Sequence, residues 1–255
     1  MKSLEVKYET PPALPPPYCY YYHIKGQVTG NQFQVDFHWV HHNREDLAVD
    51  EVEAEGFTAN DDYHWSGNLH PVWLSQFEQH IAGTKKANRA GEDHPYLHIT
   101  WQEKERIQFE GEPQNLEQWE YFMQEFVQAI YETSGREAPL ELHFRKISSD
   151  KKVTEAKLLV LFRDRTVQVT FPPGSSQLPA STFDWEPMQK HLQSLFLLEP
   201  DDENAALKAP TSVGYFFQTG NGFWYQPGVT AVDPSPRKKH TQSVVQFMDQ
   251  LFSGK

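Results

Sequence analysis

Apolar residues recur along this chain with two periods. Four strand pairs are readable from runs of period 2, the spacing of strands with one buried face. Gln27-Val28-Thr29-Gly30-Asn31-Gln32-Phe33 places Gly30-Asn31 where a two-residue hairpin loop belongs. His98-Ile99-Thr100-Trp101 and Ile107-Gln108-Phe109 form a second pair. Leu158, Val160 and Phe162 alternate before Asp164-Arg165, and Val167, Val169 and Phe171 alternate after it. Residues Tyr215 to Tyr225 make a fourth hairpin, unusually aromatic and centred on Gly220-Asn221-Gly222.

A segment of period 3.6 follows each pair. From Pro71, Trp73, Phe77 and Ile81 share a face, and Gly83 ends the helix. Behind Asn115, with Gln118 at the capping-box position, come Leu116, Trp119, Met123, Phe126, Val127 and Ile130, with Glu117, Glu120, Glu125 and Glu132 on the polar side. From Asp184 the stripe is Trp185, Met188, Leu192, Leu195 and Phe196, and Pro187 fits the first turn. Val244, Met248, Leu251 and Phe252 mark the last helix, over about 240–252. A half-buried hairpin can be covered by the amphipathic helix after it. The pattern therefore predicts an α+β protein. Its antiparallel sheet is built from four successive hairpin-then-helix (ββα) units, with the helices packed on one face. Thr-Gly-Asn recurs at 29–31 and 219–221, a hint of internal repetition.

Pro11-Pro12-Ala13-Leu14-Pro15-Pro16-Pro17-Tyr18 reads as a stiff polyproline arm. Its last four residues fit the Pro-Pro-x-Tyr pattern that WW domains bind, a match short enough to arise by chance. Domains are expected at 1–17 (the arm), 18–90 (a first α+β unit) and 91–255 (the other three), with the boundary in the hydrophilic connector near 83–93. Lys and Arg total 23 against 35 Asp and Glu, a net charge of −12. That acidic balance argues against nucleic acid and anionic membrane as partners. The first residues lack an apolar signal core, no stretch reaches the roughly 18 apolar residues of a membrane span, and Cys19 is the only cysteine. A cytoplasmic location is the expectation.

Phosphate-loop, zinc-protease, Cys-x-x-Cys and nucleophile-elbow motifs are missing. The densest histidine region is His38-Trp39-Val40-His41-His42. A loop at Gly30-Asn31 sets the hairpin register, opposing His23 to His38 and Lys25 to Asp36. His23, His38 and Asp36 could form a two-histidine, one-carboxylate metal set; His42 lies too far along the strand. A Lys25–Asp36 ion pair competes for that carboxylate, so the expectation is no metal and no cofactor. Asp61-Asp62-Tyr63-His64 reads as a turn, with acid–base or metal chemistry as the alternative. Glu51, Glu53 and Glu55 read as an acidic edge strand. Arg237-Lys238-Lys239-His240 place cations at a helix N-terminus, against the helix dipole. Tyr215, Phe223, Trp224 and Tyr225 put aromatics on both faces of the fourth hairpin, which suits either a core or a contact surface. The expectation is a non-catalytic interaction protein that binds a protein partner, or a second copy of itself, through these four residues. The alternative is a metal-dependent hydrolase using His23, His38 and Asp36.

Overall fold

Leu4 and Val6 alternate with Glu5 and Lys7 near the start of the chain, and this short period-2 run lies at the heart of the first sheet. The structure, a computed structural model, describes residues 2–58, 60–88, 94–174 and 178–254. It divides into two compact units, Met1–Glu137 and Ala138–Lys255. Part of the connector expected as a boundary, residues 84–88, belongs to the first unit; residues 89–93 lie outside the described residues.

In the first unit, strands β1 (Lys2–Glu9), β2 (Tyr20–Thr29), β3 (Gln32–His41), β4 (Tyr63–Leu69), β5 (Tyr96–Glu103) and β6 (Arg106–Gly111) form one antiparallel sheet. Its order is β4-β3-β2-β1-β5-β6. Residues 2–9, expected within an arm, are thus a central strand paired on both edges. The prolines fold into two successive turns, Leu14 N–H to Pro11 O and Tyr18 N–H to Pro15 O, instead of one extended stretch. The β2–β3 register has His23 opposite His38, Lys25 opposite Asp36 and Tyr22 opposite Trp39, with Gly30 at φ +61° in the loop.

Helices α2 (Val72–Gly83) and α3 (Leu116–Ser134) lie on one face of this sheet. Phe77 of α2 and Phe126 of α3 both meet Phe33 of β3, and Trp73, Phe77, Trp119 and Phe126 are fully buried. Each such side chain contributes roughly 1.5–3 kcal/mol through burial. The Asn115 side chain does not cap α3; its amide donates to Gln118 Oε1 at 2.8 Å. Glu125 and Glu132, expected on the polar side, are buried, because α3 is covered around more of its circumference than one stripe. Glu51, Glu53 and Glu55 do not form a strand. Residues Val49–Ala54 are a short helix, α1, anchored by Val52 and started by a hydrogen bond from Ala48 N–H to the Glu51 carboxylate at 2.9 Å.

In the second unit, β7 (Leu140–Ile147), β8 (Val153–Leu161), β9 (Thr166–Thr170) and β10 (Ser181–Asp184) precede α4 (Trp185–Phe196). The two-residue strands β11 (Glu199–Pro200) and β13 (Ala231–Val232) pair with each other. Strand β12 (Gly214–Gln218) joins the main sheet, whose order is β10-β9-β8-β7-β12, and α5 (Lys239–Ser253) closes the unit. Leu142, Phe144, Leu158, Val160, Val167 and Val169 form its core with Trp185, Leu192, Phe247 and Met248 from the two helices. In both units four successive antiparallel strands, β1 to β4 with the short α1 between the last two and β7 to β10, precede a longer helix, and the next strand to join the sheet, β5 or β12, pairs with the first of the four. The protein is therefore α+β with antiparallel sheets and amphipathic helices, and a four-stranded antiparallel run precedes α2 in the first unit and α4 in the second. No helix among the described residues is long and apolar enough to cross a membrane.

Candidate functional site

The face of the first sheet opposite α2 and α3 is built by strand alternation alone. While Val35 and Phe37 of β3 point to the core, Asp36 and His38 point outward. Cross-strand pairing then assembles rows. One row runs His64, His38, His23, Lys7, His98 across β4, β3, β2, β1 and β5. The next runs Ser66, Asp36, Lys25, Glu5, Thr100 across the same strands.

The charged groups on this face sort into two clusters. His64 and His38 stack with ring centroids 3.9 Å apart and planes inclined by 24°. Both aim Nε2 at Asp36, His38 to Oδ1 at 3.0 Å and His64 to Oδ2 at 3.1 Å. Partial burial works against ionisation of Asp36, but the hydrogen bond from His64 and the charge of His38 outweigh it and hold the carboxyl below its ordinary range. The second cluster is His23 Nε2 with Glu5 Oε1 at 2.7 Å, with Lys7 Nζ 3.6 Å from the same oxygen. There too burial opposes the shift, and the His23 hydrogen bond and Lys7 charge hold the Glu5 carboxyl low.

The sequence-derived set is thus divided. Asp36 and His38 stay together, while His23, though opposite His38 in register, bonds to Glu5. Instead of the expected Lys25 partner, Asp36 has His64. His64 belonged to a segment read as a turn, yet Tyr63-His64-Trp65-Ser66-Gly67-Asn68-Leu69 carries the period-2 signal that makes it β4. The acids beside it do serve loop structure. Asp61 Oδ2 accepts from Arg44 Nη1 at 2.6 Å and from Thr58 N–H at 2.8 Å, and Asp62 Oδ1 accepts from His41 N–H at 2.9 Å. His42 Nε2 stands 4.0 Å from Glu9.

The aromatic segment of the second unit is largely consumed by its own core. Tyr225 is 1% exposed, and Phe216 and Phe217 are buried as well. Tyr215 and Phe223 are half-buried against the same core. Phe217 and Tyr225 exchange backbone hydrogen bonds at 2.9 and 2.8 Å, and Trp224 pairs with Ala206. Only the first limb, β12, is a strand of the sheet. Trp224 is half-buried too but stands outside that core cluster, edge-on to His143 at 6.4 Å.

The chain matches no family model, and no curated protein or solved structure is similar to it.

Two further features complete the site inventory. Tyr8, Tyr20, Tyr22 and Trp39 line a cleft of about 140 Å³ beside Glu120 of α3. Tyr20 stacks on Trp39 at 4.0 Å and Tyr8 on Tyr22 at 4.8 Å, and burial raises all three phenols above their ordinary range. Asp233, shortly before the cations at 237–240, accepts through its carboxylate from Ser235 N–H at 2.9 Å and from Thr241 N–H, in the first turn of α5, at 2.7 Å.

Proposed function

We propose that this chain is a non-catalytic binding protein, and that it recognises a protein partner through the helix-free face of its first sheet. The observation that carries the reading is that face itself. It is an open six-stranded surface on which exposed Tyr21 and Tyr96, at 39% and 42% exposure, stand either side of Glu9 in the row beside the histidine row. Tyrosine suits such contacts because it covers apolar area with few torsions to order and keeps a hydroxyl for hydrogen bonding. Interspersed acids and bases, Glu5, Lys7, Lys25 and Asp36, supply specificity more than affinity.

The aromatic segment expected to make the contact supports this role less, since Tyr225 and Phe217 serve the core; Trp224 is the residue of that set placed to add to a surface. The test is comparative affinity capture from the protein's native cells with wild-type chain and a Tyr21→Ala/Tyr96→Ala double variant. A partner held by the wild type and lost from the variant supports the proposal. Identical capture by both overturns it.

A further inference from the structure

We infer that Asp36, His38 and His64 form a binding site for a borderline divalent transition metal such as Zn²⁺ or Co²⁺, on the outward face of β3 and β4. The inference stands apart from the protein-partner reading, since a metal could bind here whether or not Tyr21 and Tyr96 contact anything.

Its first support is geometric. One donor atom from each residue lies within 4.8 Å of the other two. Ligand atoms on a tetrahedral ion with bonds of about 2.0–2.1 Å stand about 3.3 Å apart. The His38–Asp36 and His64–Asp36 separations, 3.0 and 3.1 Å, are already close to that value. Each of these distances is to a different oxygen of the carboxylate, so rotation of the exposed carboxylate and rings is what would bring the three donors onto one ion. The scaffold is a pair of adjacent hydrogen-bonded strands with His38 directly opposite His64, so the Cα positions are set by the sheet and need no loop to close.

The second support is chemical. Two imidazoles and one carboxylate are the donor set that borderline ions prefer to Ca²⁺ or Mg²⁺, which take oxygen ligands. The two imidazoles stack 3.9 Å apart with both Nε2 atoms turned toward one carboxylate, an arrangement that suits rings sharing one central ion. A divalent cation among the three would be partly neutralised by the Asp36 carboxylate, with the two imidazoles as neutral lone-pair donors. All three side chains are open to solvent, which provides an entry path and leaves the other coordination positions to water. His23 is not a ligand here, because its Nε2 is engaged by Glu5 at 2.7 Å.

The experiment uses the full untagged chain, stripped with chelator, and titrates Co²⁺ by visible absorption and Zn²⁺ by calorimetry. Wild type is expected to bind one ion saturably and to give the d–d spectrum of nitrogen and oxygen ligation. His64→Ala, His38→Ala and Asp36→Asn are each expected to weaken binding by roughly tenfold or more. His23→Ala is expected to leave it within about twofold, which separates this site from the His23-based set. Because all four positions are on a solvated face, circular dichroism of each variant should match wild type. No saturable one-to-one binding by the wild type would overturn the inference, as would binding that survives His64→Ala in a folded variant.

Discussion

Replacing Asp61 by Asn tests a nearly buried ion pair that ties the β3–β4 connection together. Arg44 is 8% exposed and donates from Nη1 to Asp61 Oδ2 at 2.6 Å and to Thr58 O at 3.0 Å, and from Nε to Pro17 O at 3.2 Å. Its guanidinium also sits over the Phe57 ring, 4.6 Å from the centroid. Burial disfavours the Asp61 charge, but hydrogen bonds from the Thr58 hydroxyl and backbone, then Arg44, outweigh it and bring the carboxyl from 3.8 down to about 2. A tenfold change in proton affinity corresponds to about 1.4 kcal/mol, so this lowering places roughly 2 kcal/mol of stability on the charged form. The Asp61 side chain is 23% exposed, so little of that is lost to screening.

Asparagine keeps the shape and can still accept from Thr58, but leaves a buried guanidinium unbalanced. Asp61→Asn is therefore expected to cost about 2 kcal/mol at pH 7. The sign with pH follows from the lowered value. The contribution is fully present above the unfolded value near pH 4 and is lost as pH falls through about 2. The difference between wild type and variant should thus be the same at pH 7 and pH 5, and fall to about half near pH 3. Urea unfolding followed by tryptophan fluorescence reads it, since Trp39, Trp65, Trp73, Trp101 and Trp119 all lie in the first unit. A difference below about 0.5 kcal/mol at pH 7, or one that does not shrink between pH 5 and pH 3, would refute the reasoning.

Three other outcomes are expected. A Cβ on Gly26 would stand 2.7 Å from Phe33 Cε2 and 3.4 Å from Leu4 Cβ, so Gly26→Ala should lower stability by about 1–3 kcal/mol through overpacking, read by thermal melting. Tyr225→Phe removes a buried hydroxyl that donates to Asp202 at 2.6 Å and accepts from Asn221 at 2.6 Å; a loss of about 1–2 kcal/mol is expected, and a double-mutant cycle with Asp202→Asn should show the two changes to be non-additive. Asp233→Ala frees the N–H groups of Ser235, before α5, and of Thr241, in its first turn, and should cost about 1 kcal/mol at neutral pH, with faster amide exchange at Thr241 as the local readout.

Periodicity by itself determined the α2, α3, α4 and α5 helices, the β2–β3 register from Thr29↔Gln32 to Tyr22↔Trp39, and the α+β class. These rest on local physics: the two-residue loop at Gly30-Asn31 counts the pairing, and an apolar stripe of period 3.6 can only be buried as a helix. The neighbours across strands were decided by tertiary structure. Residues 2–9 pair with β5, some 90 positions away, and nothing local in Leu4-Glu5-Val6-Lys7 announces a central strand over an edge. The Glu51–Glu55 ladder fits period 2, but Val52 needs a core and glutamate favours helix, so the segment coils as α1. His38 and Asp36 were legible as an outward-facing pair on one strand. Their third member was not, because His64 reaches them only through the β3–β4 pairing, while the equally plausible His23 is drawn off by Glu5 from the strand on its other side. The aromatic run at 215–225 likewise announced buried area, but which rings faced the core depended on the pairing of β12 with β7, a contact between segments that sequence spacing does not encode.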